Sequence, residues 1–104
     1  MKPDKVNILG IEYSIIYVDK PSDVDIFKRE SLWGQIDYWT RTIRIYDNAR
    51  PIEDIWHAIF HEVIHGLSQV LHLQEMDKKE NEDELDLIAL AFTDILFRNG
   101  WMKP

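Results

Sequence analysis

Residues 51–73 read PIEDIWHAIFHEVIHGLSQVLHL. Ile52, Ile55, Trp56, Ile59, Phe60, Val63, Ile64, Leu67, Val70 and Leu71 recur at spacings of three and four. That is the period of an amphipathic helix with a broad apolar face. Pro51 suits the first turn, where its missing N–H costs nothing, and Glu53 and Asp54 suit the positive end of the helix dipole. A helix is therefore expected from about Pro51 to about Leu73. At 100° per residue, His57, His61, His65 and His72 fall within a sector of about 80°, roughly opposite the apolar face. The histidines are expected to line a polar groove.

Upstream of this helix, residues 5–18 are rich in β-branched and aromatic types, with Gly10 as the only breaker. They read as one strand before Gly10 and a longer one after it. Lys20, Pro21, Ser22 and Asp23 carry turn chemistry, and residues 23–31 fit a short helical turn or a loop. Ile36 and Tyr38 flank Asp37, and Ile43 and Ile45 flank Arg44, the period-two pattern of two half-buried strands joined by a turn over residues 39–42. Downstream, residues 74–81 form a charged link. A second helix is expected from about Asp83 to Arg98, with Leu85, Ile88, Ala89, Phe92, Ile95 and Leu96 on its buried side and Asn99-Gly100 as its stop. Trp101 and Met102 are apolar enough to fold back on the body.

These elements add up to an α+β fold, a small, mostly antiparallel sheet packed on one long helix with a second helix after it. At 104 residues the chain reads as a single domain spanning 1–104. Its net charge of −7 and lack of a basic stripe argue against nucleic acid and anionic membranes. With no cysteine, disulfide bracing and thiolate metal ligation are excluded. No signal peptide or membrane span is legible, so a cytoplasmic, non-membrane protein is expected.

Within the helix, His61-Glu62-Val63-Ile64-His65 is an H-E-x-x-H sequence. Residues four apart share a helix face, so His61 and His65 can offer two imidazole nitrogens to one ion, with Glu62 about 100° away beside it. For a chain of this composition, such a match arises by chance with a probability of roughly one in a hundred, so context has to support it. Two imidazoles hold a divalent ion poorly, and catalytic zinc usually has a third protein ligand and an open position for water. Without cysteine, the third is a His, Asp or Glu. The acidic run Glu80-Asn81-Glu82-Asp83-Glu84-Leu85-Asp86 is the nearest source. Glu82 and Asp86 lie four apart, so one can bind metal while the other orients an imidazole; Glu84 lies at a similar angular distance on the other side of the apolar face.

His61-Glu62-Val63-Ile64-His65 followed by Glu82-x-x-x-Asp86 resembles the gluzincin metallopeptidases. The compact order of hairpin and two helices is similar to the minigluzincins, minimal zincin-like domains, and the likeness covers residues 34–98. The resemblance implies one zinc ion held by His61, His65 and Glu82, with Asp86 supporting a ligand and Glu62 as general base. It also implies a peptide or protein substrate lying antiparallel to a sheet edge, for which Gly34, Gln35, Ile36, Asp37 and Tyr38 are the candidates, with Trp33, Tyr38 and Trp39 shaping subsites. The large C-terminal subdomain of thermolysin has no counterpart, so roles from it do not transfer.

The expected function is a zinc-dependent endopeptidase, active or held latent as a zymogen by residues 1–5 or 100–104. The competing class is a non-catalytic zinc- or peptide-binding regulatory module; a metal-free interaction protein is the third. His57 is a further groove histidine, His72 suits the negative end of the helix dipole, and Tyr46 is a candidate oxyanion donor. The acidic stretch 75–86 could favour basic substrates.

Overall fold

The computed structural model describes residues 2–73 and 77–102. Four strands, β1 (Lys5–Ile8), β2 (Ile11–Val18), β3 (Gly34–Asp37) and β4 (Thr42–Tyr46), precede two helices, α1 (Ile52–Leu71) and α2 (Glu82–Arg98). Short 3-10 turns occupy Pro21–Asp23 and Lys79–Asn81. The architecture is α+β, as expected from the sequence.

The sheet order is β1-β2-β4-β3. Its outer ladders, β1/β2 and β3/β4, are antiparallel, while the central β2/β4 ladder is parallel, so the sheet is mixed. The long excursion from Val18 to Gly34 returns the chain on the far side of β4, leaving β3 as an edge. Ile8 pairs with Ile11 across a two-residue turn in which Leu9 and Gly10 both have positive φ, the hairpin geometry that matches strand twist. The Asn7 side chain accepts from the Gly10 N–H at 2.7 Å and fixes that turn.

Between β3 and β4 the turn starts one residue earlier than its sequence suggests. Asp37 is the last strand residue, and its carboxylate accepts from the Trp39 N–H at 3.0 Å and the Thr40 hydroxyl at 2.8 Å. This local bonding competes with the ladder. Tyr38 therefore leaves the edge strand and instead donates its hydroxyl to the His65 carbonyl on α1 at 3.1 Å.

One face of the sheet packs on α1. Ile8, Tyr13 and Ile15 from the first hairpin, Ile43 and Ile45 from β4, and Ile55, Ala58 and Ile59 from α1 form the main core. Gly66 lets the helix approach closely, since a Cβ there would lie 2.7 Å from the Ile8 Cδ1. Ile52, Trp56, Val63, Leu67 and Val70 of α1 pack against that same core, while Phe60 and Ile64 turn the other way to meet Leu85 and Ala89 of α2 in a second, smaller cluster. The apolar face of α1 is thus split between two partners, and the histidine sector runs along the seam.

Three expectations are corrected. First, α1 ends at Leu71, because His72 takes the left-handed conformation at φ 57° and the backbone N–H groups of His72 and Leu73 both return to the Ser68 carbonyl. His72 is exposed and lies off the groove. Second, α2 buries Leu85, Ala89 and Thr93, whereas Ile88, Phe92 and Ile95 are exposed. The reason is angular: Ala89 and Thr93 share the sector of Glu82 and Asp86 that faces α1, whereas Ile88 and Ile95 lie about 140–160° from its centre. Third, Trp101 is 67% exposed and does not fold back as expected.

The 3-10 turn and the loop after it are fastened to the sheet. Arg44 of β4 donates to the Val24 and Asp23 carbonyls at 2.9 and 2.6 Å. Asp25, with no solvent exposure, accepts from the Phe27 and Arg29 N–H groups, the Arg29 side chain and Gln35 Nε2. Those donors hold its carboxyl well below the ordinary range, Arg29 contributing most. Through Gln35, this hub sets the position of β3.

Candidate metal centre and cleft

The two histidines of the H-E-x-x-H sequence sit on adjacent turns of α1 with ring centroids 5.1 Å apart. Across the seam, the first turn of α2 presents Glu82. Its Oε1 lies 2.6 Å from His61 Nε2 and 3.5 Å from His65 Nε2. One ligand atom from each of His61, His65 and Glu82 falls within 4.8 Å of the others, the only such group of three or more among the described residues. Glu84 is exposed and outside it. Of the two glutamates open on sequence, it is Glu82 that meets the imidazoles.

The other nitrogen of each ring is also held. His61 Nδ1 lies 2.8 Å from Asp86 Oδ1, and His65 Nδ1 lies 2.8 Å from Asp77 Oδ1. An imidazole whose Nδ1–H donates to a carboxylate has its Nε2 lone pair directed away from it, the arrangement that raises ligand basicity and fixes ring orientation in metal sites. Both Nε2 atoms point into one space. In the metal-free protein His61 faces carboxylates on both nitrogens, which favours imidazolium: burial alone would lower its pKa, but the Glu62 charge and the Asp86 and Glu82 hydrogen bonds outweigh it and raise it. A cation at Nε2 would replace that proton.

Asp86 does more than support His61. Its Oδ1 also lies 2.9 Å from His57 Nε2, so one carboxylate bridges two histidines a helical turn apart. His57 is thus tied to the carboxylate that orients His61 and is not part of the metal group.

Glu62 is 7% exposed and faces the edge strand. Gly34 makes room for it, since a Cβ at that position would lie 3.1 Å from Glu62 Oε2 and 3.2 Å from its Cγ. Burial pushes the Glu62 carboxyl up to about 7; His61 and His65 oppose that shift, Glu82 adds to it, and the Ile36 N–H opposes it. A buried carboxyl beside two imidazoles and poised near neutrality has the proton affinity that general-base work needs.

These groups line a cleft of about 730 Å³. One wall is β3, whose register fixes the direction of its polar groups. The Tyr46 N–H donates to the Trp33 carbonyl at 3.0 Å, so Trp33, Gln35 and Asp37 are the residues bonded to β4, and the backbone groups of Gly34 and Ile36 point to the free side. Tyr38 and Asp77 close the His65 end; Leu32, Trp33 and Arg50 close the other. Trp39 is 94% exposed at the hairpin tip and does not line the cleft. Neither does Tyr46, whose ring lies 5.6 Å from the Arg50 guanidinium.

Sequence reasoning missed Asp77 and Arg50. Asp77 sits twelve residues from His65 with no periodic relation to it, and only the fold brings them together. Arg50, just before the helix, carried a signal of position only. Of the terminal segments considered as plugs, residues 2–5 and 100–102 do not line the cleft, and Met1 and residues 103–104 lie outside the described residues, as do residues 74–76 of the charged link. Among the described residues, no helix is long and apolar enough to cross a membrane.

The chain matches no protein-family model, no curated protein and no solved structure.

Proposed function

We propose that this protein is a zinc-dependent peptidase of gluzincin type, with His61, His65 and Glu82 holding one zinc ion and Glu62 acting as general base. The observation that carries the reading is the paired orientation of the two imidazoles. Both Nε2 atoms converge on one Glu82 carboxylate, while each Nδ1 is held by a carboxylate of its own. Two imidazoles and a carboxylate form a donor set that suits zinc.

When bound, the ion supplies Lewis acidity, activating water near neutral pH and polarising a carbonyl. The protein's own residues do the rest. Glu62 takes a proton from the attacking water and returns it to the departing amine nitrogen. Asp86 and Asp77 keep the imidazoles in register. The outward backbone groups of Gly34 and the Ile36 carbonyl offer main-chain hydrogen bonds to an extended peptide laid antiparallel to β3, while the Ile36 N–H is engaged by Glu62.

The test is cleavage of an unbiased peptide library by zinc-loaded protein, read by mass spectrometry, with Glu62→Gln as control. The variant is expected to retain stoichiometric zinc and to lose about 10²–10⁴-fold in turnover. Glu62-independent cleavage sinks the assignment of the base. Saturable peptide binding without cleavage turns the reading to a recognition module.

A further inference from the structure

The cleft is acidic at the metal end, where Glu62, Glu82, Asp86 and Asp77 gather, but its other end is built around a cation. The Arg50 guanidinium stacks 4.1 Å from the Trp33 ring centroid. Its hydrogen bonds go to carbonyl oxygens, Tyr46 at 2.8 Å and Asp54 at 3.3 Å. Among the described residues it forms no ion pair with a carboxylate. A guanidinium carries five N–H donors in a planar fork that matches a carboxylate. Arg50 is thus held by its edges and by an aromatic face, half-buried, in a concave site, with Asp54 as a nearby charge but no carboxylate paired to its fork. Burial lowers its pKa, opposed by Asp54 and Tyr46, and a guanidinium remains charged through such a shift.

We propose that Arg50, backed by Trp33, is a carboxylate-recognition subsite that selects peptides bearing a negative charge shortly after the scissile bond. The inference rests on the peptidase reading for its direction. β3 begins beside Arg50 and ends toward His65, so a peptide antiparallel to it runs with its C-terminal half toward Arg50. Trp33 directly precedes Gly34, the residue against which the Glu62 carboxylate lies. At about 3.3 Å per extended residue, the charge falls within roughly one to three positions of the cleaved bond. The carboxylate can come from an acidic side chain or from a free C-terminus. The stack on Trp33 positions the fork and partly desolvates it, which strengthens a charge-assisted bond made there. The acidic composition of the chain by itself predicts the opposite preference, for basic peptides.

The experiment uses the zinc-loaded full chain and four peptides of one cleavable sequence. Two differ only as Glu or Gln at the second residue after the scissile bond; two end at that residue as free acid or amide. A preference of about tenfold or more in kcat/KM for Glu over Gln, or for acid over amide, is the expected result, and it says which source supplies the charge. In Arg50→Gln that ratio falls to within about twofold of one, and Arg50→Lys keeps part of it because the charge stays while the fork is lost. Equal cleavage of all four peptides by the unmodified protein overturns the subsite and leaves the peptidase reading standing. If nothing is cleaved, binding of the same peptides to zinc-loaded protein is measured by calorimetry. Carboxylate discrimination that depends on Arg50 then upholds the subsite while the peptidase reading fails; equal or absent binding overturns the subsite.

Discussion

At the scale of single residues, the site depends on Glu62 being buried against the edge strand beside His61 and His65. Gly34 permits this. Adding a methyl group there meets the Glu62 Oε2 and Cγ at 3.1 and 3.2 Å and the Ile45 Cδ1 at 3.2 Å, contacts that the Glu62 side chain relieves by shifting toward the cleft it lines. Gly34→Ala is therefore expected to displace the Glu62 carboxylate while leaving His61, His65 and Glu82 in place, with turnover falling by about 10–100-fold. Zinc content at wild-type stoichiometry alongside that loss is the signature; unchanged turnover contradicts it. A second consequence concerns the metal-free protein. A carboxyl raised from its ordinary 4.5 to about 7 binds its proton more tightly when folded than when unfolded. Stability is thus lost as pH rises between those values and levels off above them. Glu62→Gln removes the titration, so in chelator its stability relative to the parent should grow from pH 5 to pH 8, reaching on the order of 2–3 kcal/mol. Urea unfolding at both pH values reads the difference, and a constant offset would count against the burial argument.

At the scale of elements, α2 shows how far periodicity alone reaches. Its existence, approximate limits and acidic first turn are legible, because apolar residues recur over four turns between Glu82 and Arg98. Which side is inward is not, since Leu85, Ile88, Ala89, Phe92 and Ile95 supply more apolar surface than one face can hold. The choice is made by the docking that brings Glu82 and Asp86 to α1, and it leaves Leu85 2% and Phe92 55% exposed. Leu85→Ala should therefore cost about 2–5 kcal/mol, and Phe92→Ala less than about 1 kcal/mol. Similar losses at both positions would mean that the outer face is covered in solution. The same limit explains the β3–β4 turn. Alternation through Tyr38 suggested strand, and the Asp37 side chain, bonding to Trp39 and Thr40, ends it one residue sooner. The parallel β2/β4 ladder has no local signature at all, because it depends on where the chain returns after the excursion that Asp25 and Arg44 fasten down.

At the scale of the whole molecule, the two helices are joined by little apolar surface and by a concentration of charge. Among the described residues, their shared apolar contact is Ile64, Leu85 and Ala89, with Phe60 packed alongside. Around that contact lie the Glu62, Glu82, Asp86 and Asp77 side chains, in a chain already carrying a net charge of −7. Their mutual repulsion opposes docking of α2, and a divalent cation shared by His61 and His65 of α1 and Glu82 of α2 would relieve it. Folding and metal binding are then linked: a ligand that binds only the folded state at about 100 times its Kd adds about 2.7 kcal/mol. For a domain of this size, that raises Tm by roughly 10–20 °C. Zinc should produce the rise in thermal unfolding, chelator should reverse it, and Glu82→Ala should lose most of it, because the cation no longer bridges the helices. Amide hydrogen exchange in α2 should slow on zinc addition in the parent chain and change little in the variant. A Tm indifferent to zinc would show that the three side chains meet without forming a metal centre, and Glu62 would then have no activated water from which to take a proton.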